Sequence, residues 1–261
     1  MIKVKKLQYY VKNKMILQDI SIDFEKGKIY GIIGPNGSGK STLLKHLMNI
    51  IEVSKNTIFY NNKDIKTFRV KDYAKEVSFV FQENVREVDF SVYEILRMGR
   101  YTRMDLWGNL DKEDEKAIKG IMEELHITHL KDRKIHSLSG GEAQKVFIGR
   151  ALLQETPVLL LDEPTSMLDV YNGIELIECI KGLKKKYELT IIMVLHDLNL
   201  AFHSCDQLIL LNKGKMVAKG SPQELLLSEE LQDVYHHKVK IIKEEHKSYI
   251  VPKLVEESNL Y

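Results

Sequence analysis

The residues with the clearest chemistry are Gly34-Pro35-Asn36-Gly37-Ser38-Gly39-Lys40-Ser41-Thr42, which fit the phosphate-binding pattern G-x-x-x-x-G-K-[ST] at every required position. Gly34, Gly37 and Gly39 let the backbone take positive φ, so successive N–H groups can turn inward on an anion. The N-terminus of the following helix adds unpaired N–H donors and the positive end of its dipole. Lys40 brings a point charge to the β- and γ-phosphates, Ser41 a hydroxyl suited to Mg²⁺, and Thr42 a hydrogen bond to a phosphate oxygen.

Other chemical groups fall at the ends of apolar runs. Val158-Leu159-Leu160-Leu161 runs into Asp162 and Glu163, two carboxylates at the end of what reads as a central parallel strand. Strand neighbours point to opposite faces, so the pair should divide the work, one holding Mg²⁺ and the other polarising an attacking water. Thr190 to Leu195 is a second such run and ends at His196, which can hydrogen-bond a γ-phosphate. A third, Val77 to Phe81, ends at Gln82, whose neutral amide can touch a metal or a water or merely finish a strand. His236-His237 resembles a metal pair, but adjacent side chains diverge.

Ser139-Gly140-Gly141-Glu142 has the spacing of a capping box with two glycines in the first turn of its helix. Glycine there costs roughly 1 kcal/mol each relative to alanine. A bare backbone at a helix N-terminus suits close approach by a second phosphate. Tyr9 and Tyr10 lie in a turn over 9–14, just ahead of the cradle strand. Strand alternation puts them on opposite faces, and the spacing favours Tyr10 for stacking on a base.

The elements that must hold these groups are legible as periodicity. Ile29 to Ile33 predicts a buried strand and Thr42 to Met48 the helix after the cradle. Residues 2 to 9 and 20 to 24 alternate like half-exposed antiparallel strands, and 56 to 62 predicts another strand ending in a turn. From about 83 to 150 the pattern turns helical, with a capping box at Ser91 and Glu94 and a helix from Asp111 carrying Ile118, Ile121, Met122 and Leu125 on one face. Asp169 should cap a helix over 170–187. Ser221-Pro222-Gln223-Glu224 opens a short helix in a C-terminal extension of about 221–261, which ends in a short strand pair. The whole chain, 1–261, thus predicts one α/β nucleotide-binding domain with a helical insertion.

Composition narrows the classes. The chain has 261 residues, 44% hydrophobic and 29% charged, with a net charge of only +2, so nothing calls for nucleic acid as a partner. No apolar run is long enough to cross a bilayer and the N-terminus leads into a strand, which together predict a cytoplasmic protein. Cys179 and Cys205 sit in apolar segments and read as buried thiols.

In their order along the chain the cradle, Gln82, Leu138 to Glu142, the Asp162-Glu163 strand end, Ser166 to Asp169 and His196 resemble the ATP-binding cassette ATPases over nearly the whole length. The resemblance implies a P-loop fold with a RecA-like core, an antiparallel β subdomain and an inserted α-helical subdomain. It implies Tyr10 on the adenine, Gly34 through Thr42 on the phosphates, and Ser41, Gln82 and Asp162 around Mg²⁺. Glu163 would be the general base, with His196, Gln82 and Lys40 completing the catalytic set. Ser139, Gly140, Gly141, Glu142 and Asp169 would serve the ATP held by a second copy, which makes a homodimer. Glu142 stands where the commonest pattern has glutamine, Ala143 and Lys145 where arginine is frequent, and Met167 where alanine is; because Glu142 also completes a capping box, activity should survive.

Ser91 to Leu96, Gly99-Arg100-Tyr101, Trp107-Gly108 and Leu195 to Ala201 are most similar to the ATPases of importers for ferric siderophores, haem and cobalamin, ferrichrome-type siderophore ATPases above all. That implies docking on two membrane permease subunits at the inner face of the membrane, supplied by a substrate-binding protein. Zinc or manganese import, or a cassette ATPase without transport, are the alternatives.

Overall fold

The computed structural model describes residues 1–81, 89–101, 110–235, 239–244 and 247–253. Gln82 and Trp107 lie outside them. The chain opens with β1 (Ile2–Val11), β2 (Lys14–Phe24), β3 (Ile29–Ile33), α1 (Lys40–Leu47), β4 (Ile58–Tyr60), β5 (Lys63–Asp64), α2 (Val70–Tyr73) and β6 (Val77–Val80). Helices α3 (Val92–Met98), α4 (Lys112–Glu124) and α5 (Gly140–Leu152) follow. Then come β7 (Val158–Asp162), α6 (Val170–Tyr187), β8 (Thr190–Val194), α7 (Leu198–Ser204), β9 (Gln207–Asn212) and β10 (Lys215–Gly220). The chain finishes with α8 (Pro222–Leu226), α9 (Glu229–Val234), β11 (Val239–Glu244) and β12 (Lys247–Pro252).

The central sheet runs β10-β9-β3-β8-β7-β6, parallel throughout except for the edge strand β10. Every residue of β3, β7 and β8 is buried, the signature of parallel strands covered on both faces. Alternation splits them between two apolar clusters: Tyr30, Ile32, Leu160, Ile192 and Val194 face α1 and the antiparallel sheet β2-β1-β4-β5, while Ile29, Ile33, Leu159, Leu161, Ile191 and Met193 face α3 to α7. Register places Ile32, Val194 and Asp162 in one row, so the C-terminal ends of β3, β8 and β7 open side by side on one edge. In open parallel sheets that edge is where ligands bind.

Two expected elements are longer than their patterns. The tyrosines lie within β1, since the turn is only Lys12 and Asn13, and β2 starts at Lys14 with Val11 paired to it. Lys12 takes a positive φ of 54°, which lets so tight a hairpin close. The cradle helix begins at Lys40, capped by Gly39 at φ 101°. In the helical block, capping boxes form at Ser91–Glu94, Asp111–Asp114 and Ser139–Glu142. Arg100 ties the block together from a buried position: it donates to Asp114 Oδ1 at 2.6 Å, to Glu155 Oε1 at 2.5 Å and to the Leu153 carbonyl at 3.0 Å. Cys205 is buried, Cys179 is half-buried, and neither is in a disulfide. Among the described residues no helix is long and apolar enough to cross a membrane.

Candidate nucleotide-binding site

Three chain segments meet at the sheet edge around a cleft of about 650 Å³: 36–42, with Lys40 and Ser41; 163–166, with Glu163 and Ser166; and His196. The cradle's shape depends on glycine. Gly34 has φ 144°, and a Cβ there would stand 2.1 Å from the Leu211 carbonyl oxygen. At Gly39 it would meet Leu17 Cδ2 at 2.7 Å. β9 of the central sheet thus presses on the cradle at Gly34, and β2 of the antiparallel sheet at Gly39.

Lys40 is buried and donates to the Gly34 and Pro35 carbonyls, at 2.9 and 3.1 Å. Burial pulls its pKa down, while the Glu163 and Asp162 charges oppose that pull. Ser38 Oγ is buried with no hydrogen-bond partner among the described residues. An orphaned hydroxyl and a desolvated ammonium in a loop with positive φ at Gly34, Gly37 and Gly39 fit an anionic phosphate chain.

Ser41 donates its hydroxyl to Asp162 Oδ1 at 3.0 Å, joining the ends of the cradle and of β7. Asp162 is buried, which raises its pKa against the lowering effect of the Ser41 bond. Hydroxyl and carboxylate are hard oxygen donors, the set that Mg²⁺ takes alongside phosphate oxygens. Glu163 Oε1 contacts His196 Nε2 directly. Glu163 is not a strand residue: β7 ends at Asp162, and Glu163 turns the chain with φ 50°. A non-glycine residue there carries strain, of the kind found where function fixes a side chain. Asp162 and Glu163 are separated by that turn, so one reaches Ser41 and the other His196.

The remaining expected site residues stand elsewhere. Tyr9 packs edge-on against His46, with ring centroids 4.7 Å apart, and Tyr10 is exposed on the other face of β1, outside the cleft lining. Ser139 caps α5: its N–H donates to Glu142 Oε2 at 2.8 Å and its Oγ accepts from the Glu142 N–H at 3.3 Å. Among the described residues beyond its own helical turn, the nearest atom to a Cβ placed on Gly141 is Asn172 Oδ1 at 3.9 Å. Asp169 caps α6 through the Asn172 N–H, at 2.8 Å. One cleft residue had no role in the sequence reading: Ser166 donates its hydroxyl to the Glu163 carbonyl at 3.0 Å, bracing the strained turn. Its signals are its place in the Ser166 to Asp169 run and its position three residues after the carboxylate, in a Pro-Thr-Ser turn.

Known proteins resemble the chain along its length. Residues 17–166 match the ABC transporter family model. A petrobactin import ATP-binding protein of Bacillus anthracis is 36% identical over 98% of this chain and 94% of its own. An iron(3+)-hydroxamate import ATP-binding protein of Bacillus subtilis is 36% identical over 88% of this chain and 86% of its own. Among solved structures, a nucleotide-free ATP-binding cassette from an ABC transporter superposes with a TM-score of 0.81 at 25% identity, covering 90% of this chain and 98% of that one.

Proposed function

The chain belongs to the ABC transporter family and is an ATP-binding ATPase, and from that premise we propose that it energises uptake of an iron(III)-siderophore through membrane permease subunits. The observation that carries the catalytic half is the meeting of Lys40, Ser41, Asp162, Glu163 and His196 at one sheet edge. The cargo half is supported by the relatives, which are named for the import of petrobactin and of iron(3+)-hydroxamates.

In this reading the loop from Gly34 through Thr42 binds the β- and γ-phosphates, and Lys40 exchanges its two carbonyl partners for phosphate oxygens. Ser41 and Asp162, with Gln82 from outside the described residues, would hold Mg²⁺, which would supply neutralisation of phosphate charge. Glu163 takes the proton of the water that attacks the γ-phosphorus, and His196 holds the Glu163 carboxylate and the γ-phosphate in line. Tyr10 stacks on the adenine from its exposed place on β1.

One copy is incomplete. The capped N-terminus of α5 at Ser139, Gly140, Gly141 and Glu142, together with Asp169, is assigned to the phosphates held by a second copy, giving a homodimer with two composite sites. The dimer sits on the cytoplasmic face of the membrane, carried by two permeases and fed by a substrate-binding protein. The test is reconstitution of the chain with its permeases in vesicles with ATP and Mg²⁺ on the ATPase side. Uptake of labelled ferric hydroxamate or catecholate is the expected result. Uptake of zinc or manganese alone would replace the cargo, and no phosphate release by the assembled complex would remove the ATPase assignment.

A further inference from the structure

His196 stands in the three-residue turn between β8 and α7, and Asp197 caps α7 by accepting the Leu200 N–H at 3.0 Å. α7 is only 7 residues long. A helix of about two turns has little stability of its own, so its placement depends on what it packs against. Part of that support arrives from 51 residues further along: the Asn199 side chain donates to the Ile250 carbonyl at 3.0 Å and accepts the Ile250 N–H at 2.8 Å. Both backbone groups of Ile250 therefore face α7 and not β11, to which β12 pairs on its other edge, and Asn199 takes the place of a neighbouring strand.

Side chains reinforce the grip. Ile250 is buried in the cluster that holds Ala201 and Phe202, and the rings of His203 and Tyr249 lie 5.6 Å apart. The segment before the hairpin is anchored as well, through buried Leu225, Leu231 and Val234. Tyr235 packs on the same cluster, and burial pushes its hydroxyl pKa up.

We propose that Asn199 is a positioning residue for hydrolysis: by clamping α7 to the C-terminal hairpin it fixes the turn that carries His196. The inference rests on the role given above to His196. The clamp acts on chemistry more than on nucleotide affinity, because α7 supplies none of the residues that line the cradle.

The test is steady-state hydrolysis by the full chain with Asn199→Ala, His196→Ala and both together. Asn199→Ala should lower kcat about tenfold and leave the KM for ATP within about twofold, and the double variant should be no slower than His196→Ala. Wild-type kcat in Asn199→Ala beside a crippled His196→Ala overturns this inference alone, as does a further tenfold loss in the double variant. A His196→Ala chain at full rate overturns instead the role assigned to His196, and this inference with it. Ile250→Pro removes the N–H that Asn199 accepts without altering α7 and should repeat the kcat loss; full kcat there counts against the clamp. In the unaltered chain, amide exchange over 198–204 and at Ile250 should follow a single opening rate, and α7 exchanging at a rate unrelated to Ile250 would sink the clamp without any variant.

Discussion

His196 Nε2 touches Glu163 Oε1 across the ends of neighbouring parallel strands, although the two residues are 33 positions apart in the chain. The contact makes Glu163 the carboxylate with a partner able to orient it, while Asp162 is occupied by Ser41. Glu163→Gln keeps the size and one acceptor oxygen but removes the base. Phosphate release should fall by about two orders of magnitude or more, with nucleotide affinity unchanged and a dimer accumulating in ATP on size-exclusion chromatography. Unaltered turnover would hand the proton to another group.

Gly141 separates folding from function. Among the described residues beyond its own helical turn, a Cβ there would have only ordinary van der Waals contacts, at 3.9 Å or more, so Gly141→Ala should fold normally and gain up to about 1 kcal/mol from better helix propensity. If the bare backbone serves a second copy, hydrolysis should nevertheless fall at least about tenfold. Calorimetry beside phosphate release checks both halves, and a fully active alanine variant would leave the glycine without a role. Gly34→Ala should behave in the opposite way, because its Cβ overlaps the Leu211 carbonyl inside the same chain.

Much of this site was legible because its signals are local. The cradle, the capping boxes at Ser139 and Ser221 and the Asp169 cap each fit within a few residues, and the Ile29, Val158 and Thr190 strands announce themselves as continuous apolar runs. What stayed hidden is long-range or conformational. Nothing near Asn199 marks Ile250 as its partner, and the buried Arg100 pairs with Asp114 and Glu155 from separate elements. Strand alternation also misplaced the cause of the Asp162–Glu163 division, since the positive φ of Glu163 is set by the turn and not by the pleat.

Asp162 carries a cost in folding. Burial raises its pKa above the ordinary 3.8, so the folded state holds a proton more tightly than the unfolded state does. Stability therefore falls as pH rises from 3.8 through that raised pKa, and the penalty is complete above it. Asp162→Asn removes the charge and keeps an acceptor for Ser41. The melting temperature should rise by about 2 to 4 °C at pH 7, the response to roughly 1 kcal/mol in a domain of this size. Phosphate release should collapse in the same variant, and the thermal gain should shrink as pH drops toward the carboxylate range.

His46 should set an acid limit on the fold. It lies on α1, directly after the cradle, buried with neither ring nitrogen in a formed hydrogen bond among the described residues. Burial lowers its pKa from 6.5, opposed by a weaker pull from the Ile51 backbone that falls short of such a bond. The unfolded chain then binds the proton first. Stability is complete above about pH 6.5 and is lost as pH falls from there through the lowered folded-state pKa, with a slope of at most about 1.4 kcal/mol per pH unit from one proton. His46→Phe keeps an aromatic edge for Tyr9 and cannot titrate. Urea unfolding of both chains between pH 7.5 and 5, as about five steps, should show the wild type losing stability faster than the variant. Equal slopes would assign the acid sensitivity to other groups.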